Sequence, residues 1–280
     1  MELVMFSKMY HSLSVADAGK VIKDMGFDGV DLTVRPEGHV LPENAATELP
    51  GALKTLRDMG LSTPMITTSI TDASAPFAED IMATASANGI TLLKLGYWNY
   101  LGFGNLTAQM DSAKRDLDTL APLAEKHGVC LCLHTHSGPY LTAMPGLLRE
   151  LIEDRSPDNF GAYVDLGHMN IEGGLSGWEL GLDMLADRIR IVAAKGAGWF
   201  YEAGFAGARP KWERKLMPAR ESAVHWEEAF TYLKQAGFDG PVSVHSEYEG
   251  GHSWRVLDVD GITAQTREDV RFYRSVLNSL

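Results

Sequence analysis

With 280 residues, 45% of them hydrophobic, the chain can bury one large core, and a single barrel of roughly 250 residues fits that length as well as two smaller domains do. Its 25 basic and 37 acidic residues give a formal net charge of -12, which argues against nonspecific binding to nucleic acid or to anionic membranes. No signal-peptide pattern opens the chain, and no run approaches the roughly 18 apolar residues of a membrane span, so a soluble cytoplasmic protein is expected.

Short β-rich runs and longer helical patterns alternate from end to end. Residues 3–6 form the first expected strand and 14–25 the first helix, with Ser14 as its cap and Asp17 three residues on. Strand 29–34 follows, then a helix over 49–59 entered through Pro50 and stopped at Gly60. Strand 62–68 leads to helix 80–88, strand 90–95 to the long helix 106–127, and strand 129–133 to helix 143–152. Strand 160–164 precedes helix 175–185, strand 189–193 precedes helix 224–235, and strand 242–244 precedes a final helix over 266–280.

Several of these strands are nearly continuous apolar runs, as a parallel sheet covered on both faces demands. Glycines before the strands, as in Met25-Gly26-Phe27 and His127-Gly128-Val129, supply the left-handed residue that ends a helix. The main competitor, a doubly wound open sheet, usually carries a glycine-rich phosphate loop after its first strand, and Phe6-Ser7-Lys8-Met9-Tyr10-His11 has no glycine. A closed (β/α)8 TIM barrel occupying residues 1–280 as one domain is therefore expected, with long rim loops at 35–48 and 196–222. The second of these carries Trp199, Phe200, Tyr201, Phe205 and Trp212 among Arg209, Lys211 and Arg214, a composition that suits a lid or a substrate-binding element. Cys130 and Cys132 sit two apart in one strand, too extended for a relaxed disulfide, and are expected as buried thiols.

Four segments carry the chemistry: His134-Thr-His136, Asp165-Leu-Gly-His168, Lys195 and His245-Ser-Glu247. Each follows an apolar run, and in a TIM barrel the active site forms on the C-terminal ends of the strands. His134 and His136 share one face of an extended strand, where both can ligate one divalent ion, or one ligates while the other orients substrate; the plain alternative is a hydrogen bond to a loop carbonyl. Asp165 is a ligand, the orienter of a histidine, or a cap on backbone N–H groups. His168, in the expected loop after Gly167, is placed to act as acid, base or hydrogen-bond donor. Ser243, His245 and Glu247 alternate onto one face. Lys195 can stabilise an enediolate, form a Schiff base if desolvated, or be a rim residue with a packed stem. Arg35 and His39 after the second strand, Thr67 and Thr68 after the third, and Lys94, Tyr97, Trp98 and Asn99 after the fourth suit a sugar-like ligand, apolar on one face and hydroxylated at its edge. Arg35, Lys94, Arg209 and Arg214 are candidates for holding a phosphate, though none lies in a glycine-rich anion loop.

In length, alternation and placement of polar residues the whole chain resembles the xylose isomerase-like barrel superfamily, the sugar phosphate isomerase/epimerase group. The most specific match is Val164-Asp165-Leu166-Gly167-His168, similar to the sixth-strand Asp-x-x-His of that family, in which the aspartate binds metal and the histidine faces the substrate. Gly240-Pro-Val-Ser-Val-His245 resembles the eighth strand. Elsewhere the family pattern is altered: His134 stands where the fifth strand carries a ligand Glu, with His136 matching; Ala193 stands where the seventh carries a ligand His, with Lys195 retained; and His245 stands where the eighth carries a ligand Glu, leaving Glu247 one strand repeat later. The resemblance thus implies a divalent metal on His134, Asp165, His245 and Glu247, a mixture suited to Mn, Zn or Fe more than to Mg.

The implied acid, base and enediolate-stabilising groups are His134, His168, Lys195 and Glu247. Arg35, His39, Lys94, Tyr97, His136 and Trp199 are the implied contacts to a small-molecule carbohydrate. The expected activity is metal-dependent isomerisation or epimerisation of a sugar or sugar derivative by proton abstraction next to a carbonyl. Dehydration of a keto-sugar derivative, or sugar binding without metal or catalysis, are the alternatives. A nucleic-acid substrate is not expected, and the acidic outer helices permit either a monomer or a homodimer.

Overall fold

The computed structural model describes residues 1–202 and 211–280. Among these, eight parallel strands close into a barrel: β1 (Glu2–Phe6), β2 (Gly29–Thr33), β3 (Ser62–Thr67), β4 (Leu92–Lys94), β5 (Cys130–His134), β6 (Phe160–Asp165), β7 (Ile189–Ala194) and β10 (Pro241–Val244), with β10 pairing β1 to complete the ring. A separate antiparallel hairpin, β8 (Gly196–Glu202) and β9 (Lys211–Met217), rises from the end of β7. Around the barrel run α1 (Val15–Met25), α2 (Ala45–Asp58), α3 (Ala78–Ala87), α4 (Leu106–His127), α5 (Pro145–Ile152), α6 (Leu166–Gly173), α7 (Gly177–Leu185), α8 (Trp226–Gln235) and α9 (Val259–Ser279). None of the described helices is long and apolar enough to cross a membrane.

Local chemistry accounts for most element ends. The Ser14 side chain accepts from the Asp17 N–H to start α1, and Gly26, at φ 94°, closes it in the left-handed region that a side chain would strain. The helices dock through apolar stripes: α4 buries Met110, Ala113, Leu117, Leu120 and Ala124, spaced three and four residues apart. Inside the barrel, Met65, Cys130, Cys132, Tyr163, Ile191 and Ala193 form an apolar layer, and both cysteines are free and buried. At the C-terminal mouth the interior turns polar. Asp31, Thr67, Lys94, His134, Asp165, Ser243 and His245 are all buried there.

Four expectations are corrected. Helix α2 starts at Ala45 and runs through Pro50, because the buried stripe Ala45, Leu49, Ala52, Leu53, Leu56 already spans the proline and outweighs its missing N–H. A short helix, α6, occupies the segment expected as the loop of His168; Asp165 caps it, and it buries Leu166 and Met169. Within 196–222 the described residues 196–202 and 211–217 pair as a hairpin in which Trp199 and Tyr201 face outward. Helix α9 begins at Val259, capped by the Asp258 side chain on the Gly261 N–H, although Gly261 weakens its first turn in the sequence pattern.

The hairpin leaves the barrel at a tight junction. A Cβ on Gly196 would stand 2.3 Å from the Met217 carbonyl oxygen and 2.9 Å from that of Pro218, so only glycine lets the two hairpin strands meet there.

Candidate active site

Strand ends and the residues just after them converge on a cavity of about 110 Å³ at the mouth. Phe6 and Lys8 come from β1, Arg35 from beyond β2, Thr67 from β3, Lys94 and Tyr97 from β4, His134 and His136 from β5, Tyr163 from β6, Lys195 from β7, and His245 and Glu247 from β10. A larger groove of about 490 Å³ lies on the outer surface along α7 and α8, but its walls are mainly leucine, alanine and scattered acids, with no convergent strand-end groups. The chemistry sits in the smaller cavity.

An ion network forms one wall. The Lys195 ammonium stands between two carboxylates, 3.1 Å from Asp165 Oδ2 and donating to Glu247 Oε2 at 2.9 Å; Lys8 donates to Glu247 Oε1 at 2.7 Å. Burial would neutralise these groups, but the pairing outweighs it. Lys195 is raised above the usual lysine range by Asp165 and Glu247, and Glu247 is held well below the carboxylate range by Lys195 and Lys8. At Asp165 burial is likewise outweighed, by the Lys195 ammonium and the hydrogen bond to His134, so it too stays ionised.

The histidines are neutral, and their partners assign the protons. Burial lowers His134 to about 4, despite Asp165. Its Nε2 lies 3.2 Å from the Asp165 carboxylate, which can only accept; Nε2 therefore carries the proton, and Nδ1 accepts from the Tyr97 hydroxyl at 2.8 Å. His136 is lowered to about 3 by burial and the nearby Lys195. Its Nδ1–H donates to the Ser137 carbonyl at 2.9 Å, which leaves the Nε2 lone pair without a partner among the described residues. His245 stacks on Phe6 at 4.4 Å, and its Nε2 meets the Tyr163 hydroxyl at 2.8 Å. That hydroxyl also reaches Asp31, whose carboxyl accepts from Thr67 and Ser243 at 2.8 Å each and is pushed up by burial to about 6.

The model of the xylose isomerase-like TIM barrel family matches residues 20–276. The chain belongs to that family. Solved structures with the same fold include the 3-keto-D-glucoside 4-epimerase of E. coli, at 15% identity over 98% of this chain and 99% of that one, with a TM-score of 0.70. Another is the probable 3-DHS dehydratase of Bacillus anthracis, at 17% identity over 95% and 98%, with a TM-score of 0.70. A third is a xylose isomerase-like TIM barrel protein of Mycobacterium smegmatis in complex with magnesium, at 16% identity over 99% and 97%, with a TM-score of 0.69. No curated protein matches the chain.

A divalent ion is what such a family member in complex with magnesium implies, and the donors here do not fit one. The four expected ligands, His134, Asp165, His245 and Glu247, do not form a shared set; among the described residues no three His, Cys, Asp or Glu side chains are arranged to hold a metal. Both nitrogens of His134 are engaged, Nε2 of His245 faces Tyr163, and both oxygens of Glu247 accept from lysine. The ammonium of Lys195 fills the gap between Asp165 and Glu247, where a second cation would meet like charge.

The structure sorts the other expected residues. Arg35, Lys94, Tyr97, His134, His136, Lys195, His245 and Glu247 line the cavity. His168 does not: its Nδ1 meets Ser137 Oγ at 2.7 Å, and its Nε2 is sealed from solvent 3.7 Å from Asp165, so it backs the aspartate instead of facing a substrate. His39 is turned away as well, with Nε2 donating to the Tyr10 carbonyl at 3.0 Å and Nδ1 against Thr33. Trp199 is half exposed on the hairpin, outside the lining, and Trp98 donates to Asp116 of α4. Phe205 and Arg209 lie outside the described residues. Asp165 is both a cap, accepting from the His168 N–H at 2.9 Å, and the orienter of His134. Phe6, Lys8, Asp31 and Tyr163 are site residues that sequence reasoning missed. The signal for Lys8 was present, since it follows the first strand as Lys195 follows the seventh.

Proposed function

We propose that this barrel is a sugar isomerase or epimerase that moves a proton on the carbon next to a carbonyl, with a protein ammonium supplying the positive charge. The observation that carries the reading is the pairing of an unprotonated, unengaged His136 Nε2 with the Lys195 ammonium in one buried cavity. In this reading Lys195, with hydrogen to spare beyond its carboxylate contacts, donates to the substrate carbonyl oxygen. His136 takes the proton from the adjacent carbon, the electron pair moves onto the oxygen as an enediolate, and the buried ammonium stabilises that charge. Return of the proton from imidazolium to the former carbonyl carbon, as the hydroxyl proton passes to the former carbonyl oxygen, gives the isomer; the epimer requires a second donor to protonate the original carbon from the opposite face. Asp165 and Tyr97 hold His134 in one tautomer beside His136, and the Asp165–Lys195–Glu247–Lys8 chain keeps the ammonium in place.

The relatives named as a sugar epimerase and a dehydratase support chemistry on carbonyl-bearing, polyhydroxylated substrates. Dehydration is the second reading, favoured by His136, the cavity histidine whose Nε2 has no partner among the described residues: after the same proton abstraction its imidazolium can return the proton to a β-hydroxyl on the same face, which leaves as water. The test is solvent deuterium incorporation across a panel of ketoses, aldoses and keto-sugar derivatives, using wild type and His136→Gln. Exchange into a recovered sugar, lost in the variant, supports the reading. Absence of exchange across the panel, or exchange that survives in His136→Gln, overturns it.

A further inference from the structure

Of the four cations that line the cavity, two are paired and two are not. Lys8 and Lys195 share Glu247, and Lys195 also holds Asp165. Arg35 and Lys94 have no carboxylate within 4.0 Å among the described residues, and residues 203–210 contain no aspartate or glutamate that could supply one. The carboxylates that bear on Lys94 are engaged elsewhere, Asp31 by Thr67, Ser243 and Tyr163 and Glu247 by two lysines.

Lys94 is only 3% exposed and lines the cavity, and its ammonium makes no hydrogen bond among the described residues; it lies 3.6 Å over the Tyr97 ring. Arg35 has its Nε sealed from solvent with no hydrogen-bond partner, and its guanidinium lies 5.8 Å from the Phe6 ring. Aromatic faces attract cations but leave their charge in place. Burying the unpaired Lys94 ammonium is costly, and a half-buried guanidinium of like sign in the same cavity adds to that cost, so the fold alone gives no reason to keep both.

We propose that Arg35 and Lys94 form a subsite for an anionic group of the substrate, a carboxylate or a phosphate. A planar guanidinium beside a compact ammonium matches either oxyanion. The pair sits on the β2 and β4 side of the mouth, while Lys195 and Glu247 sit on the β7 and β10 side, so a ligand spans the cavity with its anion at one end and its carbonyl at the other. The carbonyl half of this picture rests on the proton-transfer reading above; the anion half rests on the unpaired cations. The substrate class is then an acidic carbonyl sugar, either a sugar acid or a sugar phosphate. Arg35 is also the leading neighbouring charge that, after burial, disfavours the protonated form of Lys94.

The test is calorimetric titration at low ionic strength with inorganic phosphate, D-fructose 6-phosphate, D-glucuronate and D-fructose, on wild type, Lys94→Gln, Arg35→Gln and Lys94→Arg. At least one of the two sugar anions is expected to bind about tenfold or more tighter than D-fructose. That preference is expected to vanish in both Gln variants and to survive in Lys94→Arg. Thermal unfolding guards against a folding defect: phosphate raises the midpoint of wild type but not of the Gln variants, whose ligand-free midpoints are no lower than wild type. Equal binding of D-fructose and both sugar anions overturns the subsite, as does binding of free phosphate with no gain for either sugar anion. Exchange of deuterium into neutral sugars without anion preference overturns the subsite and leaves the proton-transfer reading standing. Anion preference without exchange into any sugar does the reverse.

Discussion

Replacing Lys94 by methionine removes a buried charge while keeping a flexible apolar stem of similar length. In the unfolded chain the lysine titrates at 10.5, and in the folded protein burial and then Arg35 bring it down to about 7. The unfolded state therefore binds more protons between those two values, and stability rises as pH climbs from about 7 to 10.5. Below about 7 the penalty is fully present; above 10.5 it is gone. At 1.36 kcal/mol per unit, the burden on wild type is about 4 kcal/mol at pH 7 and about 2 kcal/mol at pH 9. The contact with Tyr97, lost in the variant, returns up to about 2 kcal/mol. Lys94→Met is thus expected to be more stable than wild type by about 2 to 4 kcal/mol at pH 7, with the gap narrowing by about 2 kcal/mol at pH 9. Urea unfolding at the two pH values, with unchanged m, measures both. A methionine variant less stable than wild type at pH 7, or a gap that does not narrow, refutes the reasoning.

The same substitution at the other lysine has the opposite sign. Lys195→Met leaves Asp165 and Glu247 facing each other without their shared cation, so a loss of about 3 to 5 kcal/mol is expected in urea unfolding, together with loss of deuterium exchange. His136→Gln lowers the exchange rate by about 10²- to 10⁴-fold while the unfolding midpoint stays near that of wild type, because only Nδ1 has a protein partner to lose. Asp165 and Glu247 titrate below the usual carboxylate range in the folded protein, so the stability they contribute at neutral pH is lost only as pH falls through those depressed values. Acid unfolding monitored by circular dichroism should accordingly be steepest below about pH 4, and wild type should lose this steepness in Asp165→Asn. Extensive dialysis against EDTA, and then addition of Mn²⁺ or Mg²⁺, is expected to leave the unfolding midpoint and the exchange rate unchanged; a midpoint that drops with chelator and recovers with metal contradicts the account of the occupied donors.

Much of the barrel was legible because its signals are local and repeated. Ser14 and Asp17 start a helix by direct hydrogen bonding, Gly26 and Gly128 end helices with positive φ, and apolar strands recur between them. The misses share a cause, which is tertiary packing overriding local propensity: α2 runs through Pro50 because its stripe is buried, and α6 forms around His168 because Asp165 caps it and Leu166 and Met169 fill the wall. For the site, position was legible and role was not. His134 and His136 were equivalent in a period-two pattern, and only the Tyr97 hydroxyl and the Ser137 carbonyl distinguish the engaged ring from the open one. Asp31 and Tyr163 went unnoticed because inside an apolar strand a lone polar residue looks like noise until residues from across the barrel reach it.

Lys195 is the single residue between the end of β7 and the start of β8, and Gly196 anchors the hairpin by close backbone approach. The hairpin is in effect a cantilever clamped at the residue that carries the central ammonium. The base of the arm is further tied by Ala197 to Ala223 and by Leu216 to His252 and Trp254, which keeps the lysine's own position stiff. Substitutions at the outward-facing Trp199 or Tyr201 therefore leave the charge at the arm's root in place, whereas a side chain at Gly196 would tilt arm and ammonium together.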